Sequence, residues 1–285
     1  MNMQEFPLDG IWFNLDLSLS CGQAFRWRKH SNGFWYAPSP YGNHSVWKLK
    51  LSDGCILYSG MDESDLIRYF SLDHDLKSIL ESIDSDPVIH NAIQCCRGLR
   101  ILRQDPWECL ISYICSTCSN IPGIQQRIEL ISQKFGVPIT FDNQTFYTFP
   151  TISEISNASY DELRDCKVGF RAQYILDAIQ MALKSPNWSS NINKLAYPDA
   201  NIELRKINGV GPKVADCVLL FSFEKLESVP IDVWIERIIR TKYFDGKKIG
   251  YTKASKYARE HFGKYAGYAQ EYLFAAREII SQKGI

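Results

Sequence analysis

The sequence has no apolar run approaching the roughly twenty residues that a membrane-spanning helix needs. It opens Met-Asn-Met-Gln-Glu-Phe-Pro, without a basic stretch leading into an apolar one. No secretory leader or membrane partner is therefore expected, and the location read from sequence is intracellular, in cytoplasm or nucleoid. Repeats at solenoid periods and low-complexity tracts are also missing, which excludes repeat arrays and compositionally disordered segments. Net charge is absent, with 32 Lys and Arg against 32 Asp and Glu, so the overall field gives no hint of a polyanionic partner. Cysteine is not scarce, but nine is an odd count at irregular spacing, which fits a reducing compartment better than a disulfide framework. Cys115-Ser-Thr-Cys118 lies in an apolar helical run with no second pair at metal-ligand spacing, so no metal is expected.

What is present is a chain of 285 residues, 45% hydrophobic and 22% charged, long enough for one large or two modest cores. Its charge is unevenly spread. Residues 1–94 carry 7 Lys/Arg against 12 Asp/Glu, residues 95–200 carry 10 against 10, and residues 201–285 carry 15 against 10. A basic excess at the C-terminal end is what a nucleic-acid face requires, although a solvated basic surface gives the same count.

The spacing predicts an α+β protein. Phe13, Leu15, Leu17 and Leu19 alternate with polar residues, as do Trp47, Leu49 and Leu51 before an Asp53-Gly54 turn and Cys55–Tyr58, which together read as a small antiparallel sheet. From about Ser64 the period is helical, with Asp84-Ser-Asp-Pro87 as a junction. The division expected is a sheet domain over 1–86 and a helical region over 87–285 with a hairpin at about 204–221. Helices are expected over Trp107–Cys118, around Ile124 to Phe135, over Tyr174–Leu183 and through Tyr268–Ile280. Residues 141–150 read as an aromatic-rich loop and 186–190 as a linker.

The most informative stretch is Asn208-Gly-Val-Gly-Pro-Lys-Val-Ala-Asp-Cys217. Gly209-Val210-Gly211 interrupts two helical patterns, and Pro212 suits a first helical turn. Such a helix-hairpin-helix aims unpaired amides at Gly209, Val210, Gly211 and Val214 toward one phosphate. Lys213 and Cys217 are four apart and share a helix face. Asp232 follows Pro230 at the expected N-cap of the next helix. Singly, each has a bland reading, as a solvated lysine, a core cysteine and a cap.

Together, Gly-Val-Gly-Pro-Lys-Val-Ala-Asp-Cys and the downstream Val-Pro-Ile-Asp resemble the signature of the helix-hairpin-helix DNA glycosylases, specifically the 8-oxoguanine DNA glycosylase family. The resemblance runs from about Leu15 to Phe274. Gly22-Gln-Ala-Phe-Arg-Trp27 is similar to the segment joining that family's sheet domain to its helical body, and Tyr265-Ala-Gly-Tyr-Ala-Gln270 to its pocket helix. The resemblance implies that Lys213 is the nucleophile and that Asp232 assists it. The Gly22 carbonyl would accept from N7–H, a proton 8-oxoguanine has and guanine lacks. Gln270 would bind the base edge, with Phe274 and Cys217 on its two faces. Asn120, Phe170 and Arg171 would meet DNA. The absence of cysteine after Asp232 removes the iron–sulfur cluster that related endonuclease-type glycosylases carry there.

Two loops depart from the family pattern. Cys118-Ser119-Asn120 replaces consecutive asparagines, the arginine expected around Gly123 is missing, and Phe170 lacks a hydroxyl. In the family these positions grip the cytosine opposite the lesion, so the resemblance implies weaker discrimination for cytosine, each lost base contact being worth on the order of 1–3 kcal/mol. Trp234 stands where histidine is frequent, and Phe274 by spacing alone would be core.

The chemistry implied is base flipping, attack of a neutral amine on C1′ with release of the base, and a Schiff base that permits β-elimination. It requires no metal or organic cofactor. The expected partner is duplex DNA containing 8-oxoguanine, bound by a monomer. Two other readings compete: a monofunctional alkylbase glycosylase that does not need Lys213, and a non-catalytic helix-hairpin-helix module, to which Asp232 would be superfluous.

Overall fold

A computed structural model describes residues 3–282. Strands β1 (Gln4–Pro7), β2 (Arg28–Lys29), β3 (Trp35–Pro38), β4 (Val46–Ser52) and β5 (Cys55–Ser59) form one antiparallel sheet in the order β1-β5-β4-β3-β2. Alternation on β4 puts Trp47, Leu49 and Leu51 on one face; Trp47 and Leu49 reach the core, while Leu51, at the strand's end beside the turn, is 40% exposed. The Asp53-Gly54 turn has both residues at positive φ, 48° and 79°, matching the right-handed twist of the strands it joins. A first hydrophobic cluster lies under this sheet, built on Trp27, Trp47, Tyr69 and Phe70.

The segment read as a first strand is a helix, Leu15–Ser20. Leu-Asp-Leu-Ser-Leu alternates, but it also places Leu15, Ser18 and Leu19 on one helical face, and those three are buried. Asn14 decides between the two by accepting from the Leu17 amide as an N-cap.

The rest is a helical body with its own larger core. At its centre the Pro212–Phe223 helix, buried from Val214 to Phe221, packs along the Pro106–Ser116 helix. The two units are stitched by Gln23, 1% exposed, whose side chain donates to the Ser18 and Arg100 carbonyls and accepts from the Leu102 amide. Arg26 adds a buried ion pair with Glu108 at 3.3 Å, and Phe25 meets Tyr113 edge-on at 5.6 Å.

Other expectations are corrected. The presumed loop after Phe141 contains a hairpin, β6 (Pro138–Phe141) and β7 (Gln144–Tyr147). Its turn residues Asp142 and Asn143 take positive φ without a glycine, so the usual turn signal is absent. Lys48 and the Tyr36 hydroxyl both donate to Asp142, and Phe146 stacks on Tyr36. The presumed linker is the start of the Trp188–Lys194 helix, held by Trp188 against Phe223. The helix expected to reach Cys118 stops at Ser116, with Cys118 at φ 51°. The last helix breaks at Ala276 into Ala266–Ala275 and Arg277–Gln282. The Ala276 amide still donates to the Tyr272 carbonyl at 3.0 Å, and the Arg277 guanidinium donates to the Phe274 carbonyl at the break.

Candidate active site

A cleft of about 1460 Å³ runs between the helical hairpin, the Thr117–Pro122 segment, Phe170 and the Ile231–Trp234 segment. Lys213 and Asp232 both line it. Lys213 extends from the first turn of the Pro212–Phe223 helix; its Nζ lies 3.1 Å from Ser116 Oγ, to which it donates, and 5.0 Å from the centroid of Tyr113. Asp232 caps the Val233–Tyr243 helix, accepting from the Ile235 amide at 2.8 Å. Burial pushes its carboxyl above the usual carboxylate range, against the opposing pull of the Ile235 and Trp234 amides and the Lys213 charge.

The two are locked in register by a residue that motif reading passes over. Asp216, 1% exposed, accepts from Tyr251 at 2.5 Å, Tyr197 at 2.8 Å, Asn201 at 2.8 Å and Ser228 at 3.2 Å. The Tyr251 hydroxyl also receives the Ile231 amide, next to Asp232. One buried carboxylate thus ties the lysine-bearing helix to the segment that carries the aspartate.

In the hairpin, Gly209 has φ +83°, and a Cβ there would lie 2.3 Å from Tyr174 Cγ, so turn and tyrosine demand glycine. The Val210 amide donates to the Ile207 carbonyl, which removes it from the expected row of free donors. Gly211 caps the following helix without a side chain and faces open space, leaving its first-turn end, including Val214, uncapped by any side chain.

Gly22 has φ +103° and lies against Ile121 and Phe274, both of which line the cleft. The Arg277 guanidinium sits 4.2 Å from the Phe274 ring centroid. Cys217 and Gln270 lie behind this lining, 2% and 5% exposed. Burial pushes the Cys217 thiol up to about 12, so it offers a neutral, polarizable surface. Gln270 Oε1 is buried with no hydrogen-bond partner among the described residues. An unpaired buried acceptor costs about 1–3 kcal/mol and calls for a donor from elsewhere.

Phe170 is 54% exposed at the cleft edge, packed edge-on against Tyr174 at 6.1 Å. Asn120 is exposed, but its Oδ1 caps the Ile121–Phe135 helix by accepting from Gly123. Arg171 is placed differently from the expectation of a DNA contact. It is 4% exposed, and its guanidinium donates to the Thr117, Cys118 and Val168 carbonyls. Arg127, which carries no motif signal, mirrors it by donating to Ser119 Oγ and the Lys167 carbonyl. Two arginines on different helices therefore brace both loops at the cleft. Trp234, 37% exposed, lies under the Arg237 guanidinium at the cleft wall. Among the described residues no cluster of His, Cys, Asp and Glu could hold a metal, and no helix is long and apolar enough to cross a membrane.

Residues 6–110 match the family model for the 8-oxoguanine DNA glycosylase N-terminal domain. The chain is 31% identical to the N-glycosylase/DNA lyase of Arabidopsis thaliana, over 98% of this chain and 81% of that one. It is 34% identical to the N-glycosylase/DNA lyase of Saccharomyces cerevisiae, over 78% and 68%. Among solved structures, the 8-oxoguanine glycosylase/lyase of Clostridium acetobutylicum, in complex with double-stranded DNA containing cytosine opposite 8-oxoguanine, superimposes with a TM-score of 0.89 at 31% identity, covering 94% and 93%.

Proposed function

Because this chain belongs to the 8-oxoguanine DNA glycosylase family, we propose that it excises 8-oxoguanine from duplex DNA through Lys213 and then cleaves the strand as a lyase. The observation that carries the reading at residue level is the buried Gln270 Oε1, without a hydrogen-bond partner among the described residues, one helical turn from Phe274 and behind the wall that contains Gly22. The Watson–Crick edge of a guanine-type base presents N–H donors to such an acceptor.

A base stacked in a duplex cannot be attacked at its sugar, so the nucleotide is flipped at a cost of a few kcal/mol. Phe170 is the exposed apolar side chain suited to fill the gap, and the hairpin end at Gly211 and Val214 suits a phosphate. The Lys213 amine, once neutral, bonds to C1′ as the glycosidic bond breaks and the base leaves with the bonding pair. Asp232 stabilises the positive charge that develops on the sugar. Ring opening gives an imine between Lys213 and C1′. The imine acidifies C2′–H, and loss of that proton expels the 3′ phosphate by β-elimination. The departing base is suited to relay these protons.

Weak preference for the base opposite the lesion is part of this reading. The donors at the cleft edge are largely engaged internally: Arg171 on three carbonyls, Arg127 on Ser119 and Lys167, with Phe170 carrying none.

Borohydride trapping with an 8-oxoguanine duplex tests the reading. A covalent adduct that disappears in Lys213→Gln is expected. Base release without an adduct would instead indicate a monofunctional enzyme, and binding without release a non-catalytic module.

A further inference from the structure

Directly after Gln270 stands Glu271, 4% exposed in the same Ala266–Ala275 helix. The mechanism above does not use it. The Cys21 thiol, adjacent to Gly22, lies 3.8 Å from its Oε2 and donates to it. Charged and titratable groups act on it from four other parts of the chain. Asp232 does so ahead of the Val233–Tyr243 helix, Lys213 and Cys217 from the Pro212–Phe223 helix, Arg277 from the final helix, and Tyr113 from the Pro106–Ser116 helix. Burial holds Cys21, Cys217 and Tyr113 as neutral thiols and phenol, so the charges acting on Glu271 are those of Asp232, Lys213 and Arg277.

Building on the glycosylase reading, we propose that Glu271 is a positioning residue kept as the neutral acid, so that Asp232 is the one carboxylate acting on Lys213 and the sugar. Three observations support it. Glu271 is enclosed, it accepts from a thiol and not from a cation, and the charge of a second carboxyl, Asp232, already acts on it. Burial, reinforced by Asp232, pushes the Glu271 carboxyl up to about 8, with Cys21, Arg277 and Lys213 pulling the other way. Below that pH the acid is neutral and the Cys21–Gly22 turn rests on it. Above it, a second negative charge stands near Lys213 and favours the ammonium form, which has no lone pair for attack on C1′. A group that opposes lysine deprotonation flattens the alkaline rise in rate that a lysine nucleophile otherwise shows.

The test is single-turnover excision of 8-oxoguanine between about pH 6.5 and 9.5 by wild type, Glu271→Gln and Glu271→Asp. The ratio of the Gln variant to wild type is expected to climb by about threefold or more across that range, as the wild-type rate flattens and the neutral isostere does not. Glu271→Asp, which can ionise, should follow the wild-type shape. A constant ratio would overturn the proposal and leave Glu271 a packing residue. ¹³C NMR of the glutamate carboxyls in wild-type protein covers the case of a Gln variant that fails to fold. A carboxyl assigned to Glu271, as distinct from the buried Glu108, that titrates well above the ordinary range supports the proposal, and Glu271 titrating in the ordinary range overturns it. Failure of the glycosylase reading is separately visible, because wild-type protein would then give no borohydride adduct at any pH.

Discussion

At the residue scale, side chains at the cleft have two jobs that mutation can separate. Asp232 is both a carboxylate and a cap. Asparagine caps as well as aspartate, so Asp232→Asn should leave the melting temperature nearly unchanged while single-turnover excision falls on the order of 100-fold. Asp232→Ala should lose about 1 kcal/mol of stability as well. Gly22→Ala should damage recognition before it damages folding. Positive φ and a Cβ 2.8 Å from Ile121 Cδ1 push the turn toward Phe274, so affinity for lesion DNA should drop more than affinity for undamaged duplex. Glu271 carries a stability signature of its own. Its folded-state carboxyl is raised to about 8 from 4.5, so between those values the folded protein holds a proton that the unfolded chain has released. Stability therefore falls as pH rises through that window and levels off above it. Glu271→Gln should gain on wild type across the same window by on the order of a few kcal/mol, read as a widening difference in denaturation midpoint.

At the scale of elements, the paired bracing by Arg127 and Arg171 makes two loops from distant parts of the chain behave as one. Arg127→Ala should loosen both, lowering duplex affinity while leaving the chemical step, measured at saturating enzyme, within about twofold. Much of this layer was open to sequence reading and part was closed to it. The hairpin was legible because glycine, proline and helical periodicity all point the same way at residues 209–217. Lys213 and Asp232 were legible through their fixed place in that motif. The Leu15–Ser20 helix was not, because five alternating residues satisfy strand and helix alike and a single asparagine settles the choice. The Asp142-Asn143 hairpin hid behind a turn with no glycine, and an alanine gives no signal of the break at Ala276. Arg127, Asp216 and Glu271 were invisible for a common reason: an ionisable side chain reads as surface until its burial is known.

At the scale of the whole molecule, the sheet and the helical body are joined through Gln23. Gln23→Ala would leave the Leu102 amide without its partner inside the joint, so a loss of about 1–3 kcal/mol in stability is expected, read by denaturant titration. On substrates, excision rates opposite each of the four bases should differ by little. A strong preference for cytosine would mean that Arg127 or Arg171 leaves its internal partners when DNA binds. One contact bears on timing. The Tyr174 ring lies directly beneath Gly209 and also packs against Phe170, so the turn suited to hold the strand and the side chain suited to replace the flipped base rest on a single plate. Grip and insertion are then one stroke. A fluorescent base beside the lesion should report a single relaxation in stopped flow, and replacing Tyr174 by alanine should split it in two.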